Sequence, residues 1–279
     1  MKIKSFSKIN LFLNVNKKLK SKKLHDIQTF FCLVNIFDQI IIKKIKGKKD
    51  KISFKGVFAK HIDKNNNSIK NSLDILRNRE VIKSYYSIVV NKKIPVFSGM
   101  GGGTSNAYFL VKYLLDKKIS NEVSKELEKK IGTDFKLFFQ KQGFLENLKK
   151  LKNIKNRHKL YFLLVYPNLQ CSTRYVYSKI KTYSPKCKYN SKTIVKKSVF
   201  LNSMKNKKND LQIVIEKRYP KIRKLISEIG LKKGCYFSRM TGSGSVCFGV
   251  FKTLKNAKIA LKIIKSKYPS YWVTVAKTI

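Results

Sequence analysis

The feature that most constrains this chain of 279 residues is a glycine-rich segment, Pro95-Val-Phe-Ser-Gly-Met-Gly-Gly-Gly-Thr-Ser-Asn-Ala107. Apolar residues at helical spacing continue it to Leu114. Glycines without a Cβ let backbone N–H groups approach phosphate oxygens, and the start of a helix adds positive potential. The segment therefore predicts a phosphate-binding loop to which Thr104 or Ser105 adds a hydroxyl. A flexible glycine loop or a tight turn is the alternative.

This loop lacks the lysine of a Walker A motif and the spacing of a dinucleotide fingerprint. A second glycine cluster, Met240-Thr-Gly-Ser-Gly-Ser-Val-Cys-Phe248, leads into a run of apolar residues. Those residues are equally compatible with a second binding turn and with a hairpin turn capped by threonine.

The apolar pattern predicts alternating strands and helices. A period of two over Lys2 to Val15 indicates a first strand with Lys8 and Asn10 on one face. One or two further strands are predicted over 29–45, and others over 85–90, 160–165, 235–251 and 272–276. Helices are predicted over 69–76, 107–114, 120–131, 207–228 and 254–268. The pattern predicts an α+β fold with an N-terminal domain over 1–157 and a C-terminal domain over 158–279.

The cysteine pattern and the hydropathy indicate in which cellular compartment the protein works. The five cysteines are scattered, without a close pair for zinc or redox chemistry. No apolar run reaches the roughly 18 residues of a membrane span. These observations predict free thiols in a reducing cytoplasm and no membrane partner.

The charge of the chain is extreme. Lys and Arg number 63 against 15 Asp and Glu, a net charge of +48. Such a balance is typical of proteins that neutralise phosphate backbones. Nucleic-acid readers favour arginine, however, and most of these cations are lysines spread over every segment. We interpret the excess as a composition bias at solvated positions, so a nucleic-acid partner is not expected, although the field would attract anionic substrates.

Three motifs together resemble those of the GHMP kinases. Ser7-Lys-Ile-Asn-Leu11, the Pro95 to Ala107 loop and Thr241-Gly-Ser-Gly244 occur in the order and spacing of that superfamily. The resemblance implies a two-lobe α+β fold, with an N-terminal nucleotide-binding lobe, a C-terminal ferredoxin-like lobe and the active site in the cleft.

Smaller pieces narrow the resemblance. Within the superfamily the chain is most similar to the 4-diphosphocytidyl-2-C-methyl-D-erythritol kinases, which use ATP and Mg²⁺ to phosphorylate the 2-hydroxyl of their acceptor in non-mevalonate isoprenoid biosynthesis. The pieces that carry the similarity are Lys8 to Leu13, His25 to Thr29, Gly132-Thr-Asp134, Pro167, Ser172-Thr173 and Asn209-Asp-Leu211.

This resemblance also implies roles for individual residues. Asp134 would be the catalytic base, with Lys8 beside it. ATP would contact Asn67 and the loop residues Pro95, Ser98, Gly99, Met100, Gly101, Gly102, Gly103, Thr104 and Ser105. The cytidine diphosphate acceptor would contact Asn10, His25, Tyr177, Thr241, Gly242, Ser243 and Gly244. From the sequence alone, Asp134 is also compatible with a helix cap or a structural ion pair, and His25 with an ordinary loop histidine.

The chain departs from the family at several places, among them a downstream glycine-rich stretch that is reduced to Gly143. Leu24 precedes His25 where members usually carry Tyr, and Lys136 stands where Pro is usual. The alternatives are a GHMP kinase for another small alcohol and a catalytically lapsed relative that binds nucleic acid. A monomer and a homodimer are both compatible with the sequence.

Overall fold

A computed structural model of the chain describes residues 1–19, 24–116, 118–154, 157–188 and 195–279. Contacts divide the chain into two compact units. Unit 1 comprises Met1–Lys8, Ile36–Val96 and Gly101–Phe139, and unit 2 comprises Ile9–Asn35, Phe97–Met100 and Gln140–Ile279. Both units are discontinuous in sequence, and the domain boundary between residues 157 and 158 stays a prediction.

Two long strands contribute residues to both units. They are β1 (Lys2–Lys18) and β2 (His25–Ile45), and they pair with each other. In unit 1, residues 39–45 of β2 pair antiparallel with β4 (Tyr85–Asn91), and β3 (Lys51–Lys55) pairs parallel with β4.

Three helices complete unit 1: α1 (Ser68–Asn78), α2 (Gly102–Leu114) and α3 (Asn121–Ile131). Helix α1 packs on α2 and α3. Apolar residues at helical spacing, Ile69, Leu73 and Leu76, form its buried face. Helix α3 ends at Gly132, and a 3₁₀ segment over Thr133–Phe139 follows it.

In unit 2, the first part of β2 pairs antiparallel with another strand. Residues 29–32 of β2 pair with β5 (Gln142–Asn147), which pairs with β6 (Lys150–Asn153). On β1, Leu13 forms a parallel bridge to Asn209.

The remainder of unit 2 is built on a four-stranded antiparallel sheet. Its strands β7 (Tyr161–Tyr166), β8 (Cys235–Met240), β9 (Cys247–Phe251) and β10 (Trp272–Lys277) lie in the order β10-β7-β9-β8. The helices are α4 (Thr173–Ser178), α5 (Lys197–Lys205), α6 (Gln212–Arg218), α7 (Lys221–Gly230) and α8 (Leu254–Lys267). Helices α7 and α8 pack on this sheet. The chain order of strand, helices, two strands, helix and strand is that of the split βαβ arrangement, which confirms the ferredoxin-like prediction.

Several element predictions need correction. The predicted helix over 207–228 was wrong: it is α6 and α7, divided at Tyr219 and Pro220, because a proline offers no N–H to continue a helix. The pattern over 29–45 is one strand that begins at His25. The apolar pattern did not predict β3, β5, β6, α4 or α5.

Candidate active site

The glycine-rich segment ends as the N-terminus of α2. Gly101 is the N-cap and has a φ of 71°, in the left-handed region that favours glycine. The first helical hydrogen bond runs from Ser105 N to Gly101 O at 2.8 Å. The N–H groups of Gly102, Gly103 and Thr104 therefore precede that bond, and they lie at the positive end of the helix.

Lys8 and Asp134 meet in unit 1 as an ion pair, with 3.1 Å between Nζ and Oδ2. The Lys8 side chain is 3% exposed and that of Asp134 is 34% exposed. Asp134 lies in the 3₁₀ segment after α3, whose neighbouring residues Phe135 and Phe138 are buried against the ring of Tyr108. The carboxylate is thus held by a packed aromatic support while it keeps access to solvent.

The N-terminus of α2 lies next to this ion pair. A Cβ added at Gly101 would lie 3.1 Å from Cε of Lys8 and 3.3 Å from the ring of Phe138. A Cβ added at Gly132 would have Oγ1 of Thr104 as its nearest neighbour, at 3.9 Å. Unit 1 therefore gathers a helix N-terminus, a hydroxyl, an ammonium and a carboxylate at one place.

The hydroxyl of Ser105 is committed to the fold. It donates to the carbonyl of Phe6 at 2.6 Å and lies 2.6 Å from Oγ of Ser5, and Ser105 is fully buried. Thr104 is partly exposed. Of the two hydroxyls expected to serve a phosphate, that of Thr104 is the better placed, and binding by Ser105 stays a prediction.

A buried polar network supports the start of α2. Asp38 accepts hydrogen bonds from the backbone N–H groups of Lys93 and Ile94 at 2.7 and 2.9 Å, and its other oxygen pairs with the Lys92 ammonium. Lys92 also donates to Oδ1 of Asn106 on α2 at 2.9 Å. No sequence pattern predicted this network, because Asp38 and Lys92 are 54 positions apart and belong to no motif that distinguishes them from the other charged residues of the chain.

The glycine-rich segment begins in unit 1 with Pro95, which is buried, and Val96, and its residues Phe97–Met100 belong to unit 2. Ser98 and Met100 are buried, and the carbonyl of Ser98 accepts from Val246 N at 3.1 Å. Gly99 has a φ of 77°, and a Cβ added there would lie 2.1 Å from the Thr241 carbonyl oxygen. This close approach to the second glycine cluster requires glycine.

The second glycine cluster is the buried connection between the antiparallel strands β8 and β9, so a hairpin reading of these residues holds. Gly244 N donates to Thr241 O at 3.0 Å. Oγ1 of Thr173 lies 2.9 Å from Oγ of Ser243. Gly242 and Gly244 both have positive φ, of 53° and 82°. Substrate binding by Thr241 to Gly244 stays a prediction.

Asn10 is a buried anchor of this turn. Its backbone N–H donates to Oγ1 of Thr241 at 2.9 Å, and its side-chain amide donates to Oγ1 of Thr29 at 2.9 Å. Thr29 in turn donates to the carbonyl of Phe12 at 2.5 Å. Asn10 is 1% exposed, so the structure gives it a scaffold role beside the predicted substrate contact.

His25 and Tyr177 come together in unit 2. Their ring centroids are 5.2 Å apart and their planes are inclined by 30°. Burial lowers the pKa of His25 below 6.5, and the nearby charge of Lys18 lowers it further. The imidazole is therefore mostly neutral at pH 7, and each of its two nitrogens has a different hydrogen-bonding character.

Asn67 caps α1. Its Oδ1 accepts from Lys70 N at 2.9 Å, and its Nδ2 donates to the carbonyls of Asp63 and Lys64 at 3.1 Å each. These bonds are those of a helix N-cap. A nucleotide contact by Asn67 stays a prediction.

Two further residues of unit 2 hold the site's scaffold. Asn209 donates through Nδ2 to the carbonyls of Met240 and Gly242 at 2.8 Å each. Arg239 is buried and donates to the carbonyl of Leu11 at 2.8 Å. Burial lowers its pKa to about 10, which leaves it charged at neutral pH. Asn209 was recognisable in the sequence because it belongs to the Asn-Asp-Leu motif of the family resemblance, whereas no sequence pattern pointed to Arg239.

The described residues offer neither a metal-binding cluster nor a membrane-spanning helix. Within the described ranges, no cluster of three or more His, Cys, Asp or Glu side chains is arranged for a metal ion. Among the same residues, no helix has both the length and the apolar character to cross a bilayer.

Comparison with known sequences extends over the whole chain. The family described as "GHMP kinases C terminal" matches residues 195–270. A "4-diphosphocytidyl-2-C-methyl-D-erythritol kinase" of Pelagibacter ubique is 36% identical over 284 aligned residues, which cover 100% of this chain and 99% of that protein. A protein of the same name from Ureaplasma parvum is 32% identical and covers 88% of this chain and 93% of its own length.

Solved structures share the fold. A crystal structure of "4-(cytidine 5'-diphospho)-2C-methyl-D-erythritol kinase" matches with a TM-score of 0.75 at 18% identity, over 99% of both chains. Homoserine kinase from Cytophaga hutchinsonii matches with a TM-score of 0.67 at 15% identity, over 100% of this chain and 94% of that one. At these identities the structures establish the GHMP kinase fold, and the sequence relatives establish the family. The chain belongs to the 4-diphosphocytidyl-2-C-methyl-D-erythritol kinase family.

Proposed function

We propose that the chain transfers the γ-phosphoryl group of ATP to the 2-hydroxyl of 4-diphosphocytidyl-2-C-methyl-D-erythritol, giving the 2-phosphate and ADP in non-mevalonate isoprenoid biosynthesis. Relatives that carry this name match the chain over nearly its full length. The structural observation that supports the proposal most directly is the Lys8–Asp134 pair, 3.1 Å apart, beside the N-terminus of α2.

In this proposal Asp134 is the general base. Its partly exposed carboxylate accepts the proton of the acceptor hydroxyl as the oxygen forms a bond to the γ-phosphorus and the bond from that phosphorus to ADP breaks. The Lys8 ammonium pairs with the Asp134 carboxylate and offers positive charge to the moving phosphoryl group. Because Lys8 is almost fully buried, its charge acts at a fixed position.

In this proposal the start of α2 binds the phosphates of ATP. Gly103 leaves open space, since an added Cβ would meet only Oγ of Ser68, at 3.7 Å. The N–H groups of Gly102, Gly103 and Thr104 offer donors at the positive helix end.

Magnesium bound with nucleotides keeps several waters and takes few protein ligands. The absence of a three-residue metal cluster among the described residues is compatible with that mode, and the Thr104 hydroxyl is the protein group that would hold the ion. When bound, Mg²⁺ would supply charge neutralisation at the phosphates.

We assign the cytidine end of the acceptor to unit 2. The stacked rings of His25 and Tyr177 offer planar surfaces for a pyrimidine, and a neutral imidazole can donate and accept hydrogen bonds to the base. Asn10 and the Thr241 to Gly244 turn would act near this substrate chiefly through backbone groups, since their side chains are buried.

We propose a cytoplasmic location for the reaction. The five cysteines all lie in the described ranges and are free thiols, which is the state maintained by a reducing compartment.

Asp134→Asn tests the role of the base. We expect turnover of the cytidine acceptor to fall by about 100- to 10,000-fold, the range for loss of general-base catalysis, while ADP affinity is retained. Turnover is measured by coupled ADP release and affinity by calorimetry. Asp74→Asn, at an exposed carboxylate of unit 1, is the matched control. Turnover in Asp134→Asn equal to that of the wild type would refute the assignment.

A panel of acceptors tests the substrate. Wild-type protein with ATP is offered the cytidine acceptor, homoserine, mevalonate and galactose, and ADP release is followed for each. We expect turnover of the cytidine compound to exceed that of the other alcohols by orders of magnitude. Turnover of another alcohol in its place would contradict the proposed substrate and keep the kinase reaction.

A further inference from the structure

A third aromatic ring lies beside His25 and Tyr177. The centroid of Tyr183 is 6.3 Å from that of His25, and the two planes are inclined by 32°. The planes of Tyr177 and Tyr183 are thus inclined to the imidazole plane by similar angles, 30° and 32°. Tyr183 is 43% exposed, so its ring is not part of the buried core. Leu24, the neighbour of His25 in the chain, is aliphatic and offers no aromatic face.

The segment that carries Tyr183 is fastened to β1 and β2. The amide of Gln28 makes two bonds to the backbone of Cys187, donating to its carbonyl at 3.0 Å and accepting from its N–H at 2.8 Å. Asn16 donates to the carbonyl of Ser184 at 3.0 Å, and Ser184 N donates to Val15 O at 2.9 Å.

A charge contact adds to these bonds. Lys186 Nζ lies 2.9 Å from Oδ2 of Asp26, the residue that follows His25 on β2. The Asp26 carboxylate is 8% exposed. The chain immediately after Tyr183 is therefore tied at Ser184 to β1, and at Lys186 and Cys187 to β2, the strand that carries His25. These contacts set the position of the Tyr183 ring.

We propose that Tyr183 is a specificity-determining residue that provides a second tyrosine contact for the cytosine ring of the acceptor. This inference rests on the proposed function. Flat aromatic surfaces attract nucleobases, and each stacked base contributes about 1–3 kcal/mol. The Tyr183 ring belongs to a segment held by polar anchors, is 43% exposed and is inclined by 32° to the imidazole of His25. This placement matches contact with a planar base better than it matches core packing.

The experiment compares Tyr183→Ala and Tyr183→Phe with the wild type. Two quantities are measured: the KM of each substrate in the coupled assay, and the Kd of cytidine 5'-diphosphate by calorimetry with saturating ADP present. Tyr113→Ala is the matched control, because Tyr113 on α2 is 40% exposed and lies in unit 1.

We expect Tyr183→Ala to raise the acceptor KM and the Kd of cytidine 5'-diphosphate by about tenfold, within the range for loss of one stacking contact. The KM of ATP and the thermal midpoint should not change. Tyr183→Phe, which keeps the ring, should stay within about twofold of the wild type. Tyr113→Ala should match the wild type in both measurements.

The outcomes separate this inference from the function on which it rests. If the wild type phosphorylates the cytidine acceptor while Tyr183→Ala keeps wild-type values, the contact is refuted and the function stands. If the wild type lacks that activity but binds cytidine 5'-diphosphate in a Tyr183-dependent way, the contact stands and the function is refuted. Absence of both activity and binding in the wild type overturns both.

Discussion

Gly101 combines a backbone constraint with close packing against Lys8, a member of the Lys8–Asp134 ion pair. Its φ of 71° suits a residue without a Cβ, and the space where a Cβ would lie is lined by Lys8 and Phe138. Both the backbone conformation and the lack of space for a Cβ therefore favour glycine at position 101. The glycine-rich motif was recognisable in the sequence, but the reason for this particular glycine is visible only once Lys8 is placed against it.

Gly101→Ala should impair catalysis through Lys8. The added methyl group would press on Cε of Lys8 at 3.1 Å and would occupy a left-handed conformation at a cost of about 1 kcal/mol. We expect kcat/KM to fall at least about tenfold, because small misplacements of catalytic groups have large effects on rate. Steady-state kinetics and thermal unfolding check this.

Gly47→Ala is the control for that substitution, since an added Cβ at Gly47 has no neighbour within 4 Å. A Gly101→Ala protein with unchanged kinetics would show that the Lys8 side chain relaxes without consequence.

The sequence identified Lys8 and Asp134 because motif context singled them out, and the structure pairs them. It did not identify Asp38 and Lys92, which have no motif of their own, although they form a more deeply buried pair. Pairing across long stretches of chain depends on the tertiary fold, so composition and local periodicity carried no signal for it.

At the scale of elements, α2 depends on a polar network as well as on its apolar face. Asp38 ties the backbone of Lys93 and Ile94 before the glycines, and Asn106 joins the same carboxylate from within the helix at 3.0 Å. The entry to the loop and the first turns of the helix are thus fixed to one buried side chain.

Asp38→Ala should destabilise the protein strongly. It would leave the Lys92 ammonium, 3% exposed, without its carboxylate, and breaking a buried pair in this way costs about 3–5 kcal/mol. The free energy of unfolding from urea titration measures the effect.

Asp74→Ala removes an exposed i,i+4 partner of Lys70 and should change stability by less than about 0.5 kcal/mol. Equal small changes in Asp38→Ala and Asp74→Ala would mean that the buried network contributes little to folding.

Some helices and strands could be predicted from the sequence and others could not, for physical reasons. Helix α1 followed from its apolar spacing, and it is flanked by the capping Asn67. Strands β3 and β6 are short and rich in lysine, so their pairing with neighbours, rather than their own pattern, makes them strands. The ferredoxin-like order of the second sheet came from the family resemblance, because local pattern does not specify which strands become neighbours.

At the scale of the whole molecule, the net charge of +48 comes from lysines and arginines spread along the sequence. Both proposed substrates carry phosphates, so the long-range field should favour their encounter with the protein. The same field would attract any polyanion, which is why salt dependence must be measured on the reaction itself.

We expect kcat/KM for the cytidine acceptor to fall about 3- to 10-fold between about 20 and 200 mM NaCl, as the Debye length shortens below about 10 Å. The value of kcat at saturating substrate should change much less, since it does not include the encounter. Initial rates across a salt series provide the measurement, with potassium glutamate as a second salt. A flat kcat/KM would show that the charge does not contribute to substrate capture.

The discontinuity of the two units has a consequence for how the chain is made. Residues 9–35 belong to the same unit as the carboxyl-terminal part of the chain. The N–H of Val15 donates a hydrogen bond to Oδ2 of Asp210, which is synthesised 195 positions later. At a synthesis rate of roughly 5–20 residues per second, that delay is about 10 to 40 s. During this time β1 and β2 can pair with each other, but the carboxyl-terminal residues that complete unit 2 have not been made. Apolar residues that those later segments cover stay exposed in the nascent chain, and such exposure favours aggregation.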